Sequence, residues 1–282
     1  MILFCTCCQE ESVTFLYTKN GFDIYKCNCC GLGITYIPKD FDLLSIYNED
    51  YFQGNQVDGY VDYIGSETVL RREFRRDVDL LMSYIDNKNK KLNLLEIGSA
   101  YGFFLEEAKE YFNVQGIEVA KEAVDFCRKR GLNVMEGILT EDNCSQMSSF
   151  DIVVFLDVIE HIPNPDEFFG YLNRITHSGS KLLLTTGDFG SLFSRFTRKN
   201  WRLMTPPQHV YFYSRKSLFK LLERYGYKVE IIFAPSKIVP LDLVFFQLAR
   251  IMRLKMKPPR FLKGRELKVN LFDSIKIIAS RI

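Results

Sequence analysis

The sequence predicts an α/β protein, a doubly wound parallel sheet preceded by a small cysteine-rich ribbon. Three observations carry that reading. Two C-x-x-C pairs open the chain, strand-like and helix-like runs alternate from residue 92 onward, and an acidic, glycine-bearing loop follows the first of those strands. The 282 residues are 47% hydrophobic, enough for one large core plus a satellite. Thirty-seven Lys+Arg against 35 Asp+Glu leave a net charge of +2 and no global attraction to nucleic acid or membrane. No apolar run reaches the length of a membrane span, and Met-Ile-Leu-Phe-Cys lacks a basic leader, so a cytoplasmic protein is expected.

Six of the eight cysteines fall in the first thirty residues. Cys5/Cys8 and Cys27/Cys30 enclose eighteen residues, the spacing of a tetrathiolate zinc site in which each C-x-x-C aims two thiolates at one ion. A closed site of that kind is structural. Two disulfides are the alternative, disfavoured in a reducing compartment, while Cys7 and Cys29 leave the choice of ligands open. Between the knuckles, Val13–Tyr17 and Phe22–Lys26 flank Asn20-Gly21, a hairpin signal, and together they make a zinc-ribbon pattern over 1–37.

Residues 38–64 show no periodicity, whereas apolar residues at 70, 74, 78, 81, 82 and 85 predict a helix over 67–85. Arg71, Arg72, Arg75 and Arg76 are expected on its solvated face, and 87–91 is a polar turn that closes a linker and lid region spanning 38–90. Over 91–282 the expected order is strand 92–97, helix 102–112, strand 114–118, helix 121–130, strands 132–135 and 151–156, helix 165–176 and strand 181–186. A strand over 227–233 and a helix-like run over 241–256 follow. Eight basic residues against one acid between 250 and 268 offer either a solvated surface or a weak contact with an anionic membrane.

In such sheets ligands sit beyond the carboxyl ends of the strands. There the chain reads Glu96-Ile97-Gly98-Ser99-Ala100-Tyr101-Gly102, and twenty-two positions after Glu96 comes Glu118, placed to accept hydrogen bonds from ribose hydroxyls. The pattern E-x-G-x-x-x-G lacks the third glycine of a dinucleotide fingerprint, which argues against a nicotinamide dehydrogenase. With only Lys19 and Lys26 as basic residues in 1–37, the ribbon carries too little charge for a nucleic-acid module, and no nucleic-acid partner is expected.

These loops, with Gly116-Ile117-Glu118 and the run Phe150–Pro165 containing Asp157-Val158-Ile159-Glu160-His161, resemble class I S-adenosylmethionine-dependent methyltransferases. Pro206-Pro207-Gln208-His209 and the cysteines resemble a branch with an amino-terminal zinc ribbon, often linked to sugar, polysaccharide or natural-product modification. The stretch 272–281 resembles the family's final antiparallel strand. The resemblance implies a Rossmann-like seven-stranded sheet, S-adenosylmethionine as cofactor and a structural zinc ion. Glu96, Gly98, Ser99, Ala100, Tyr101 and Gly102 would surround the methionine part, Glu118 the ribose, and Val119, Gly137, Ile138 and Leu139 the adenine, with Leu156 and Asp157 beside them. Tyr51, Phe52, Tyr60 and Tyr63 become lid candidates.

His209 is the expected general base for a sugar, glycan or related small-molecule hydroxyl, with His161 and Asp157 as further catalytic candidates. Asp157, Glu160, His161 and His209 could jointly hold a divalent metal, as an E-x-x-E-H arrangement does in some quinone and RNA-terminus O-methyltransferases; here Asp157 replaces the first Glu. Asp188 is expected to bind an acceptor hydroxyl or to cap a helix. The further carboxyl-terminal domain of similar sugar C-methyltransferases is not seen, which favours O-methylation. A binding module on an inactive scaffold, or a C- or N-methyltransferase acting on a natural-product or nucleotide-sugar intermediate, are the alternatives.

Overall fold

The computed structural model describes residues 4–43, 63–85, 90–241 and 266–282, together with residues 245 and 259. The lid candidates Tyr51, Phe52 and Tyr60 lie outside the described residues, as do most of the expected 241–256 helix and of the basic 250–268 segment.

The amino-terminal hairpin pairs β1 (Val13–Lys19) with β2 (Phe22–Cys27), and Lys19 faces Phe22 across Asn20-Gly21. Both turn residues have positive φ, 51° and 84°, as a tight hairpin turn of the right twist requires. β3 (Gly33–Thr35) adds a third strand. Helix α1 (Glu67–Ser83) buries Leu70, Val78 and Leu81 as the periodicity predicts. Arg72, Arg75 and Arg76 are exposed as expected, but Arg71 and Arg75 also reach across to buried Glu106 and Glu107 at 2.5–2.7 Å. The neighbouring helix carries two acids inward, and only paired guanidinium groups make that burial tolerable.

The large sheet follows as β4 (Asn93–Ile97), α2 (Phe103–Ala108), β5 (Asn113–Glu118), α3 (Lys121–Lys129), β6 (Val134–Glu136), α4 (Glu141–Gln146), β7 (Phe150–Leu156), α5 (Pro165–Arg174), β8 (Thr176–Gly187), α6 (Leu192–Thr197), β9 (Tyr211–Phe212), α7 (Arg215–Arg224) and β10 (Tyr227–Phe233). A small hairpin, β11 (Lys237–Pro240) and β12 (Glu266–Val269), precedes the last strand, β13 (Ser274–Arg281). α2 ends at Ala108, short of the expected 112, because Tyr111 and Phe112 both turn back onto the Ala108 carbonyl and Phe112 enters the core.

Seven strands lie in the order β10-β13-β8-β7-β4-β5-β6. The five central and outer strands from β8 to β6 are mutually parallel, and β13 runs antiparallel to both β8 and β10. The reversal of connection between β4 and β7 leaves a crevice beyond their carboxyl ends. The ribbon is joined to this body: β3 pairs antiparallel with β9, Gly33 opposite Phe212 and Ile34 opposite Tyr211. The cysteines pack into the same buried cluster as Leu182, Leu184 and Tyr213.

Candidate functional site

A cavity of about 870 Å³ opens over the carboxyl ends of β4, β5, β7 and β8. One wall is the turn after β4. Gly98 has φ +72°, and a Cβ there would stand 2.5 Å from Val158 Cγ2; Gly102 has φ +74°, and a Cβ would stand 2.5 Å from Leu132 Cδ1 and 2.8 Å from Cys127 Sγ. Both positions therefore require glycine on two counts, backbone angle and space. Ala100, between them, is also left-handed at φ 44°. Its amide donates to Glu118 Oε2 at 2.8 Å and its carbonyl accepts from the Cys127 thiol at 3.3 Å, which hold the strained turn in place.

Glu118 is the hinge between this turn and the next one. Its Oε1 accepts from the Ala120 amide at 2.9 Å, and the Val119 amide is a further backbone donor, which leaves part of the carboxylate's accepting capacity for a ligand. It lines the cavity and is 4% exposed. Burial raises its pKa above the ordinary value, against the lowering effect of the backbone donors. Glu96 lies behind the turn, fully buried, its Oε2 without a hydrogen bond among the described residues; burial first, and the Glu118 charge second, push it well above the carboxylate range. Ser99 Oγ is a second buried oxygen without a partner among the described residues.

Gly98, Ala100, Glu118, Val119, Gly137, Ile138, Leu139, Leu156 and Asp157 thus meet around one cavity. Glu96, Ser99, Tyr101 and Gly102 do not line it and stand one layer back. Tyr101 is buried, donates to Glu122 Oε1 at 3.3 Å and lies beside Tyr63, whose ring stacks on Phe103 at 5.5 Å. Tyr63 reaches the cavity wall, the one lid candidate among the described residues.

The opposite end of the cavity is formed by Asp157, His161, Thr185, Ser274 and the buried Asp77–Lys276 ion pair. Asp157 has φ 55°; its amide and carboxylate both engage Thr185, at 3.0 and 3.1 Å. His161 sits on a single 3₁₀ turn, Ile159–His161, and its Nδ1 is 2.8 Å from the Gln208 carbonyl. A carbonyl only accepts, so Nδ1 carries the proton and Nε2 keeps its lone pair. His209 makes the same kind of bond to the Leu203 carbonyl, 2.9 Å, and its ring meets that of His161 edge-on at 4.7 Å. His209 does not line the cavity; it stands behind His161. Burial lowers both pKa values, that of His209 to about 3 with the help of His161, so both rings are neutral at pH 7.

Glu160, His161 and His209 bring ligand atoms within 4.8 Å of one another, a grouping able to take a divalent cation; Asp157 is not in it. Asp188 takes neither expected role: it does not line the cavity, its carboxylate accepts from the Gly190 amide and Arg215, and the helix that follows is capped by Ser191.

In the ribbon, Cys5, Cys8, Cys27 and Cys30 place their sulfurs within 4.8 Å of one another, with Cys5–Cys30 at 3.4 Å and Cys8–Cys27 at 3.5 Å. Tetrahedral zinc with ~2.3 Å bonds needs sulfurs about 3.8 Å apart, so the four fit the ion. All eight cysteines are free of disulfides. Cys7 is buried beside the cluster and Cys29 turns out toward Lys220, which leaves them outside the four. Sequence reasoning missed what the ribbon does to the site: Thr35 donates through its hydroxyl to the His209 carbonyl at 2.7 Å and through its amide to the Val210 carbonyl at 2.8 Å, and Asn20 donates to the Pro206 carbonyl at 2.9 Å.

The acid-bottomed glycine turn at the switch point of the sheet, with β13 inserted antiparallel between β10 and β8, is the arrangement of the methyltransferase fold. A family model described as "Methyltransferase domain" matches residues 68–231, more than half of the chain, and the chain belongs to that family. Among curated proteins it is 27% identical over 135 residues to a ubiquinone biosynthesis O-methyltransferase of Paramagnetospirillum magneticum, covering 46% of this chain and 49% of that one. It is 26% identical over 112 residues to the mitochondrial counterpart of Dictyostelium discoideum, covering 34% and 35%. The chain thus spans a third to a half of the length of these relatives. Solved structures share its fold: a methyltransferase from Archaeoglobus fulgidus (TM-score 0.51, 19% identity, 78% and 100% coverage) and the magnesium protoporphyrin IX methyltransferase of Synechocystis with bound S-adenosylhomocysteine (0.52, 16%, 85% and 98%). Among the described residues no helix is long and apolar enough to cross a membrane.

Proposed function

We propose that the protein methylates a hydroxyl oxygen of a small acceptor, a sugar, glycan unit or related ring compound, at the Asp157–His161 end of the cavity. What carries this reading is that one cavity has the Gly98–Ala100–Glu118 wall at one end and the neutral His161 imidazole at the other. The cofactor supplies an electrophilic methyl on a cationic sulfonium. Glu118 would receive the ribose hydroxyls on the accepting capacity its backbone donors leave, Val119, Gly137 and Ile138 would flank the adenine, and the Gly98–Gly102 turn would let the backbone approach the methionine part, with the buried Glu96 carboxyl behind it. Asp157 and Leu156 set the depth at which the acceptor stops. His161, rather than His209, would take the acceptor proton on Nε2 while the acceptor oxygen gains the methyl carbon, whose bond to the sulfonium sulfur breaks with S-adenosylhomocysteine as the leaving group, because His161 is the imidazole that lines the cavity; His209 and the Gln208 carbonyl hold its orientation. Cys5, Cys8, Cys27 and Cys30 hold zinc in the 1–37 ribbon, which suits the reducing cytoplasm.

A second reading is favoured by the Glu160–His161–His209 grouping and by the O-methyltransferase relatives: these three side chains hold a divalent cation and the acceptor is a phenol or vicinal diol. Calorimetric titration with S-adenosylhomocysteine, followed by an acceptor screen of sugars and catechols with and without chelator, tests both. Cofactor binding with turnover of a hydroxyl acceptor that survives chelation supports the first reading. Turnover restored only by added divalent metal supports the second, and a folded protein that binds no S-adenosylhomocysteine sinks both.

A further inference from the structure

Helix α6 exposes what a soluble surface normally hides. Phe193 faces inward against Trp201 and Met204, and Ser194 is buried on the Phe189 and Ser191 carbonyls, so the helix is fixed in orientation. Its other face carries Leu192, 82% exposed, and Phe196, 88% exposed, one turn apart. Arg195, Arg198 and Lys199 surround this pair, all exposed and without an ion-pair partner among the described residues. The neighbouring segment adds to the same rim: Leu271 is 44% and Phe272 67% exposed. Asp273, next in the chain, ties the two together, accepting from Trp201 Nε1 and Arg202 at 3.0 Å and, through its carbonyl, from the Asp188 amide that precedes α6. Ser274, the following residue, already lines the cavity.

We propose that this rim docks on an anionic lipid bilayer, Leu192, Phe196 and Phe272 entering the acyl boundary while Arg195, Arg198 and Lys199 meet lipid phosphates. Large apolar side chains at the tip with unpaired cations beside them are the composition of an in-plane membrane contact. Charge decides between occupants: a twofold contact with a second copy would set the three cations against their own images, whereas an anionic surface neutralises them. Docking there brings the cavity mouth at Ser274 to the membrane surface, where a lipid-linked or lipophilic acceptor resides.

The test is flotation of the full chain with vesicles of phosphatidylcholine alone and of phosphatidylcholine mixed with phosphatidylglycerol. Binding is expected only to the mixed vesicles and weakens as salt is raised. With each cation worth about fivefold in partitioning, Arg198→Gln with Lys199→Gln lowers it roughly 25-fold. Leu192→Ser with Phe196→Ser lowers it at least about tenfold. Because all four side chains are exposed, unchanged melting curves certify the variants as folded. Equal binding to both vesicles, binding to neither, or variants that float like the parent would overturn the proposal. So would a dimer in lipid-free buffer that Phe196→Ser dissolves, which would assign the face to a second copy.

Discussion

Removing the Glu118 carboxylate is the sharpest test of how the cofactor is held. Its carboxylate accepts from the Ala100 and Ala120 amides at 2.8 and 2.9 Å, with the Val119 amide as a further donor, and it lines the cavity where two hydrogen bonds from a ribose diol would reach it. Hydrogen bonds to a charged group contribute about 1.5–3 kcal/mol each, so Glu118→Ala is expected to cost about 3–6 kcal/mol of binding, a rise of roughly 10²- to 10⁴-fold in the Kd for S-adenosylhomocysteine. The same change orphans two buried amides at about 1–3 kcal/mol apiece and loosens the Ala100 turn, so melting of the cofactor-free variant is measured beside it. Glu118→Asp separates the two effects, since it keeps the charge and shortens the reach. Isothermal titration gives the Kd. If Glu118→Ala melted near the parent and bound within about threefold of it, the carboxylate would be a brace for the turn and the assignment of the ribose would be wrong.

Other consequences are quicker to check. Ala100→Gly relieves a left-handed alanine and is expected to stabilise the protein by about 1 kcal/mol, a rise of roughly 2–4 °C in Tm by scanning fluorimetry. His161→Ala is expected to lower kcat about 100-fold or more with S-adenosylhomocysteine affinity unchanged, while His209→Ala, which removes only the supporting ring, costs about tenfold; equal losses in steady-state assays would contradict the division of roles. Glu96 and Glu118 both titrate above 4.5 in the folded, cofactor-free chain, so the stability they contribute is fully present below 4.5 and is lost as pH rises through their raised values. The sulfonium cation of S-adenosylmethionine favours their ionised forms, so the Tm gain from S-adenosylmethionine is expected to grow with pH over that window, and to do so more than the gain from the uncharged thioether S-adenosylhomocysteine. Cys27→Ser removes one of four converging thiolates and is expected to lower zinc content and to drop Tm by roughly 10 °C or more, read by metal analysis and calorimetry.

The sheet was legible because its strands are runs of Leu, Ile, Val and Phe bounded by polar turns, and because the turn after β4 contains residues that only its chemistry explains. β10 is found where the pattern places it, and the ribbon hairpin turns at Asn20-Gly21. Helix α7 carried a readable signal that was passed over: Ser214 and Ser217 form a capping box, and Leu218, Leu221 and Leu222 make its buried face. β9 carried none, being two residues long and existing only because β3 pairs with it. Arg71 and Arg75 read as solvent-facing because periodicity shows which side of a helix is apolar but not that a neighbouring helix turns Glu106 and Glu107 inward.

The two histidines show the same limit at the site, and why the ribbon belongs in the argument. Proximity in the motif sense placed His161 and His209 together, and their rings do touch. Which one faces the cavity is decided by the 198–214 segment, whose local turns, such as the His209 amide on the Thr205 carbonyl, are tied into place by distant anchors. Trp201 and Arg202 anchor one end on Asp273, seventy residues away, while Thr35 and Asn20 of the ribbon hold the other end by its carbonyls. The Gln208 carbonyl that fixes the His161 tautomer lies between the Asn20 and Thr35 contacts. A cysteine cluster remote from the cavity therefore braces the backbone that orients His161, the proposed base, through four links: cysteines to β2, β2 to β3, Thr35 to His209, Gln208 to His161. Thr35→Val cuts the third link alone. It leaves the four cysteines and the β3 backbone intact, so zinc content and cofactor affinity stay at parent values while kcat falls; a variant with parent kcat would mean the ribbon stabilises the fold without positioning the site.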